Sequence, residues 1–272
     1  MKDQTKAYIY AIFAVLLWST AASAFKISLR FLDYLNLLFL SSITAGFSLL
    51  IILIFQHKLK SLLTVTKKEL LYSAFLGFLN PFLYYLILFK AYSLIPAQQA
   101  QPLNFIWPLM IVLLSIPILK QKISYKSIIA IVISFLGVII ISSRGTIRNM
   151  NGSNPFGIFL ALFSSLVWAF FWIYNLKDKR DEILKLFLSF LFGTIFITIL
   201  ITASKKSINL HFSGMTGAIY IGLFEMGITF FFWLKALKLS ESTAKVNNLI
   251  YLTPFLSMIL INFIVGENIL FS

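Results

Sequence analysis

Nine runs of apolar residues, each about long enough to cross a bilayer, follow one another along this chain with only short breaks between them. They fall at roughly 7–25, 34–55, 70–92, 97–119, 127–143, 156–175, 183–203, 213–237 and 246–265. A hydrocarbon layer about 30 Å thick needs about 20 residues of helix to span it. Within lipid every backbone N–H and C=O must be satisfied by the segment itself, which leaves helices or closed barrels. Continuous rather than alternating apolar runs select helices. Composition agrees: 12% of the residues are charged, against about 25% in a soluble domain. The chain reads as an all-α membrane protein with no soluble domain.

A net charge of +14 would suit nucleic acid if it lay on one basic surface. It is instead dealt out among the breaks. With the N-terminus inside, 16 of the 23 Lys and Arg fall on inner loops, among them Lys58, Lys60, Lys67, Lys68, Lys177, Lys179 and Arg180. The other 7 fall on the outer side, including Lys26, Arg30, Lys90 and Lys205. This is the positive-inside bias of short loops, so the basic excess reports topology and argues against nucleic acid as a partner. The absence of cysteine excludes disulfides.

The runs repeat. AIFAVLLW (11–18) returns as ALFSSLVW (161–168), pairing Trp18 with Trp168, and FIWPLMIVLLS (105–115) returns as YLTPFLSMILI (251–261), pairing Pro108 with Pro254. Five runs precede the Gly- and Pro-bearing break at 144–155 and four follow it, so the reading divides the chain into repeats at 1–148 and 149–272. An odd number of helices in the first repeat sends the second into the membrane from the opposite side, giving two inverted halves. The repeat also overrules a false signal: Lys2, Lys6, an apolar run and Ala22-Ser23-Ala24 imitate a cleaved leader, but the same run recurs at 157–175.

Helical spacing collects polar and aromatic residues on single faces. Asn80 and Tyr84 lie four apart on the third run beside Pro81. The fourth carries Gln101, Asn104 and Pro108 with Trp107, and the sixth carries Trp168, Trp172 and Asn175. The ninth carries Asn247, Tyr251 and Pro254, and the first contributes Trp18 and Ser19. In hydrocarbon such amides face a partner or water, so these faces point into the bundle. They serve either as glue between helices, at about 0.6–2 kcal/mol each, or as substrate contacts. Trp18 and Trp168 stand deep in their runs, unlike an interfacial belt. Ser41, Ser42, Thr44 and Ser48 on the second run read as packing. Pro81, Pro108 and Pro254 mark bends where a bundle could rock.

Glu225 stands in IGLFEMGITFFFW, with no other charge between His211 and Lys235. An ionised, solitary carboxylate at that depth costs several kcal/mol, so the residue is protonated, paired or in a wet cavity. It is read as a proton-coupling group or a holder of a substrate amine, with neutral packing as the bland alternative. Thr229 shares its face at i+4. Lys90 has a stem long enough to reach the interface.

On these motifs the chain resembles the EamA type of the drug/metabolite transporter superfamily, over essentially its whole length. The fourth run, AYSLIPAQQAQPLNFIWPLMIVLLS, and the ninth, ALKLSESTAKVNNLIYLTPFLSMILINFIVGE, carry most of the likeness, and Trp107-Pro108 after Asn104 is similar to the aromatic amino-acid exporter branch. The resemblance implies ten helices as two inverted five-helix repeats around a cavity lined by helices one, three, four, six, eight and nine. It implies a multi-pass protein of the cell membrane with its N-terminus cytoplasmic. Two departures stand out. The family's Gly-Glu after the Pro-bearing helix is present as Gly266-Glu267, but the first copy has Lys120-Gln121 there, a change expected to affect loop packing more than transport. The tenth helix is missing: NILFS (268–272) looks like the run-up to it, and a truncated sequence is favoured over a nine-helix protein.

The function expected is an alternating-access secondary transporter that exports a small metabolite such as an amino acid. Its partners would be that small molecule and the lipid bilayer, with proton coupling through Glu225, and no cofactor or metal is implied. The sequence leaves substrate, direction, coupling ion and oligomeric state open. An intramembrane enzyme has little to stand on, since His57 and His211 lie in breaks on opposite sides and no HExxH motif exists. A channel lacks a charged ring or glycine-run filter. A scaffold without transport would use the amide faces for packing alone.

Overall fold

The computed structural model describes residues 3–120, 154–205, 207–208, 211–240 and 249–267, with the single positions 129, 133 and 246. Seven helices among them are long and apolar enough to cross a membrane. They are α1 (Asp3–Ser28), α2 (Tyr34–Phe55), α3 (Lys67–Leu94), α4 (Ala97–Ile118), α5 (Pro155–Lys177), α6 (Glu182–Ala203) and α7 (Phe212–Ala236). A shorter apolar helix, α8 (Leu252–Val265), follows. The fifth apolar run, nearly all of the break at 144–155, Asn247 and residues 268–272 lie outside the described residues. The helices α5 to α8 are therefore the sixth to ninth runs of the sequence.

Helix starts are encoded locally. Asp33 accepts from the Leu35 and Asn36 N–H groups to begin α2, and Asp181 does the same for Ile183 and Leu184 at α6. Asn154 caps α5, whose first residue is Pro155. These side-chain oxygens satisfy N–H groups that a helix cannot pair itself. The break at 56–69 is shorter than the apolar pattern suggests. A reciprocal Thr66–Glu69 capping box opens α3 at Lys67, and Leu59–Thr64 winds into a 3₁₀ turn.

The prolines interrupt helices slightly upstream of themselves. Before Pro81, Asn80 leaves helical geometry (φ −150°, ψ 124°) within a wide-turn segment, Phe78–Leu83, because the proline ring crowds the preceding residue out of the α region. Before Pro108 the chain forms a turn at Phe105 and Ile106, where the missing N–H of Pro108 releases the carbonyl of Asn104. Tyr251 plays the same part three residues before Pro254, and α8 proper starts after it. A second wide-turn segment, Ile221–Gly227, interrupts α7 and contains Glu225.

Packing pairs the helices in a pattern that survives exchange of the two chain halves. α1 packs on α7 and α8, and α5 packs on α3 and α4. α2 packs on α7, α6 packs on α3, and α2 meets α6. Small residues permit the closest crossings. A Cβ on Gly77 of α3 would stand 2.4 Å from the Ser189 carbonyl of α6, and one on Gly222 of α7 would stand 2.5 Å from the Ser41 carbonyl of α2. The Ser/Thr face of α2 is thus a packing surface. With no net hydrophobic drive between helices in lipid, such close backbone approach is what holds them together.

Candidate functional site

Where α1, α3, α4, α5 and α7 converge they enclose a cavity of about 40 Å³, room for about three waters. Seven of the sequence-derived candidates line it: Trp18, Tyr84, Gln101, Asn104, Trp107, Trp168 and Glu225. Among the described residues that line it, Glu225 is the only acid and none is basic. Trp18 and Trp168 stand on the uninterrupted α1 and α5, whereas other candidates lie beside helix breaks. The turn at Phe105 and Ile106 separates the amides of α4 from Trp107, and the wide turn in α7 rotates Glu225 inward.

The polar groups are hydrogen-bonded across helices. Tyr84 Oη donates to Asn104 Oδ1 (3.2 Å), and Asn104 Nδ2 donates to Ser164 Oγ (2.9 Å). Tyr92 Oη donates to Gln101 Oε1 (2.6 Å). Tyr85 Oη donates to Glu225 Oε1 (3.0 Å). The second oxygen, Glu225 Oε2, is buried without a protein partner. Orphaned polar atoms in a dry interior cost about 1–3 kcal/mol each, so this oxygen marks where a proton, a water or a substrate donor belongs.

Aromatic rings form the rest of the wall. Tyr84 stacks on Trp168 at 4.3 Å, and Trp107 stands edge-on to Trp168 at 6.5 Å. Phe230 bridges two tryptophans, 5.5 Å from Trp168 and 6.2 Å from Trp18, and Trp18 also meets Trp233 at 5.4 Å. An organic cation over such faces gains about 1–2 kcal/mol when desolvated.

Three candidates stand elsewhere. Trp172 packs on Phe230 and, like Asn80, is buried outside the cavity lining, with its N–H and both Asn80 amide atoms unpartnered. Tyr251 is 49% exposed and points away from the bundle interior. It stands in the turn that precedes Pro254. Thr229 donates to the Phe224 carbonyl rather than to Glu225, because the wide turn shifts the face register between them. Lys90 sits over the Tyr34 ring at 4.8 Å. The residues missed in the sequence are Tyr85, Tyr92, Ser164 and Phe230. Tyr85, Phe89 and Tyr92 recur at i, i+4 and i+7, a signal masked by the general abundance of aromatics.

Ion pairs tie the end of the bundle where α3 begins. Arg180 donates to both Asp178 carboxylate oxygens and to the Glu69 carbonyl at the start of α3. Burial alone would raise the Asp178 carboxyl, but the Arg180 hydrogen bonds and charge outweigh it and hold the group below the usual carboxylate range. Asp181 is likewise lowered, against burial, by its bond from Lys58 and by the N–H groups it caps. Among the described residues no cluster of three His, Asp or Glu is placed to hold a metal.

A sequence profile of the EamA-like transporter family matches residues 5–143 and 155–272. An uncharacterized transporter of Archaeoglobus fulgidus is 23% identical over 264 residues, 96% of this chain and 91% of its own length. An uncharacterized transporter of Clostridium kluyveri is 31% identical over 163 residues, which span 56% of this chain and only half of that relative. A solved crystal structure superposes with a TM-score of 0.70 at 19% identity, covering 97% of this chain and 90% of that one. That likeness concerns the fold.

Proposed function

Because the chain belongs to the EamA-like transporter family, we propose that it is an alternating-access carrier whose substrate site is the cavity between Trp18, Trp168 and Glu225. The observation that carries this reading is the buried carboxylate of Glu225, with one oxygen bonded to Tyr85 and the other free. Of the buried polar atoms left without a partner, this one belongs to an acid on the cavity wall, where a proton or an amine can reach it. Around it, aromatic faces suit stacking and the Gln101 and Asn104 amides suit a polar head. The substrate class is a small metabolite with an amino group, such as an amino acid, moved outward, and the Trp107-Pro108 resemblance favours an aromatic one. A cavity of about 40 Å³ is far below the roughly 300 Å³ of a ligand pocket, so the carrier must open to load.

Inverted halves are the means. The pairings of α1 with α7 and α8, and of α5 with α3 and α4, are supported as repeat equivalents because the exchange of halves maps one set on the other. One fold can then present two openings around a fixed centre. The orientation proposed puts the N-terminus and the α2–α3 connection in the cytoplasm of a cell with this protein in its plasma membrane. The test is a metabolite comparison of medium from cells with and without the gene, followed by counterflow of the released compound in proteoliposomes. In the second assay Glu225→Gln is expected to abolish the dependence of rate on pH. An unchanged rate and unchanged pH profile would remove Glu225 from the mechanism.

A further inference from the structure

The end of the molecule where α3 passes to α4 is tied by a residue that the carrier reading leaves unused. Glu267 follows Gly266, whose left-handed backbone (φ 80°) terminates α8. Its carboxylate accepts from the first two N–H groups of α4, Ala97 N to Oε1 and Gln98 N to Oε2, both at 3.1 Å. The Gln98 side chain donates back to the Glu267 carbonyl at 2.7 Å, and Asn262 donates to the same oxygen at 3.0 Å.

The first N–H groups of a helix lack internal partners and carry a partial positive charge. α4 has no side-chain cap of its own, since Pro96 precedes it. The cap therefore comes from the far end of the sequence. Two cations of α1 and its exit reinforce the same end. Lys26 donates to the Tyr92 and Ile95 carbonyls (2.9 and 2.8 Å), and Arg30 donates to the Val265 carbonyl (2.9 Å). α4 in turn carries Gln101, Asn104 and Trp107 into the cavity wall. Whatever fixes its first turn fixes that wall.

The matching place in the first half of the sequence reads differently. Where the second repeat has Gly266-Glu267, the first has Lys120-Gln121, which offers no carboxylate to a helix start. We propose that Glu267 is a positioning residue of the transport cycle: it latches the start of α4 to the end of α8, closes the cavity at this end, and lets go when the cavity opens here.

The proposal rests on the carrier reading, but its test needs no substrate. The chain has no cysteine, so a single Ala21→Cys on the cavity wall reports access by a membrane-impermeant maleimide. Labelling is followed in intact cells and in inverted vesicles, so that the reagent meets each end in turn. Glu267→Ala in that background is expected to raise the labelling rate about fivefold from the Glu267 side, the usual worth of a helix cap, and to leave the other side unchanged. Glu267→Asp should return it towards the parent rate. Equal labelling in parent and Glu267→Ala, with or without a loss of thermal stability, would overturn the latch and leave a merely structural cap. If Glu267→Ala fails to accumulate, Glu267→Gln, which keeps the shape and loses the charge, is read in the same way. Faster labelling in a protein that moves no solute supports the latch and counts against the carrier reading, so the two failures are told apart.

Discussion

Glu225 and Tyr85 lie 140 residues apart in sequence and 3.0 Å apart in space. The carboxylate was legible from sequence because a lone acid in an apolar run is costly. Its donor was not, since nothing in local spacing tells which of 11 tyrosines will reach it. Tyr85→Phe removes the only described donor to Glu225 while keeping the ring contacts to Tyr84 and Phe89. Transport in vesicles is expected to fall about tenfold, and stability by about 1–3 kcal/mol, because both Glu225 oxygens are then buried without a described donor. Trp168 contacts Tyr84, Trp107, Trp172 and Phe230 at once. Trp168→Ala should therefore cost both transport and about 3–5 kcal/mol of stability, while Trp168→Phe should recover most of the stability. Normal transport in Trp168→Ala at normal protein levels would place the pathway elsewhere. Asn80 and Tyr251 show the limit of reading single residues: each was given a face by periodicity, and beside a helix break Asn80 is buried outside the cavity lining while Tyr251 is half-exposed.

At the scale of elements, α3 and α7 are the informative pair. Each crosses the partner half through a small residue and each is interrupted by a wide turn near its middle. Gly77→Ala is expected to destabilise the protein in detergent by about 1–3 kcal/mol, because the new methyl meets backbone atoms that cannot yield. Gly46→Ala on α2, with its nearest neighbour at 3.9 Å, should be neutral within about 0.5 kcal/mol. The turn between α5 and α6 supplies a prediction of sign. The Asp178 carboxyl is lowered in the folded protein, so its contribution is fully present above the unfolded carboxylate value near 4 and is lost as pH falls through the folded value. Thermal melting should accordingly be flat from about pH 8 to 5 and fall below about pH 4. Asp178→Asn should lower the melting temperature at neutral pH and blunt that acid decline. An acid limb as steep as the parent's would assign it to other carboxylates.

For the whole molecule, the charge distribution and the helix pairings together predict orientation. Lys60, beyond the end of α2, and Ser213, at the start of α7, are both exposed. An impermeant thiol reagent added to intact cells should label Ser213→Cys and spare Lys60→Cys, and the reverse should hold in inverted vesicles. Labelling of both from one side would contradict the proposed topology. By itself the sequence determined that the chain is helical, that it spans a membrane several times, and that Trp18, Trp168, Asn104 and Glu225 stand out from their runs. These are consequences of local physics: backbone groups must be paired inside lipid, proline removes a donor, and a polar atom in hydrocarbon needs a reason. Only the tertiary structure decided which of those residues meet. It brought Tyr85 to Glu225, moved Tyr251 off the inner face and turned Glu267 from a loop residue into the cap of a helix that starts at Ala97. Such contacts depend on how whole helices approach, and that is set by glycine crossings and helix breaks acting across the two halves rather than by any spacing along one of them.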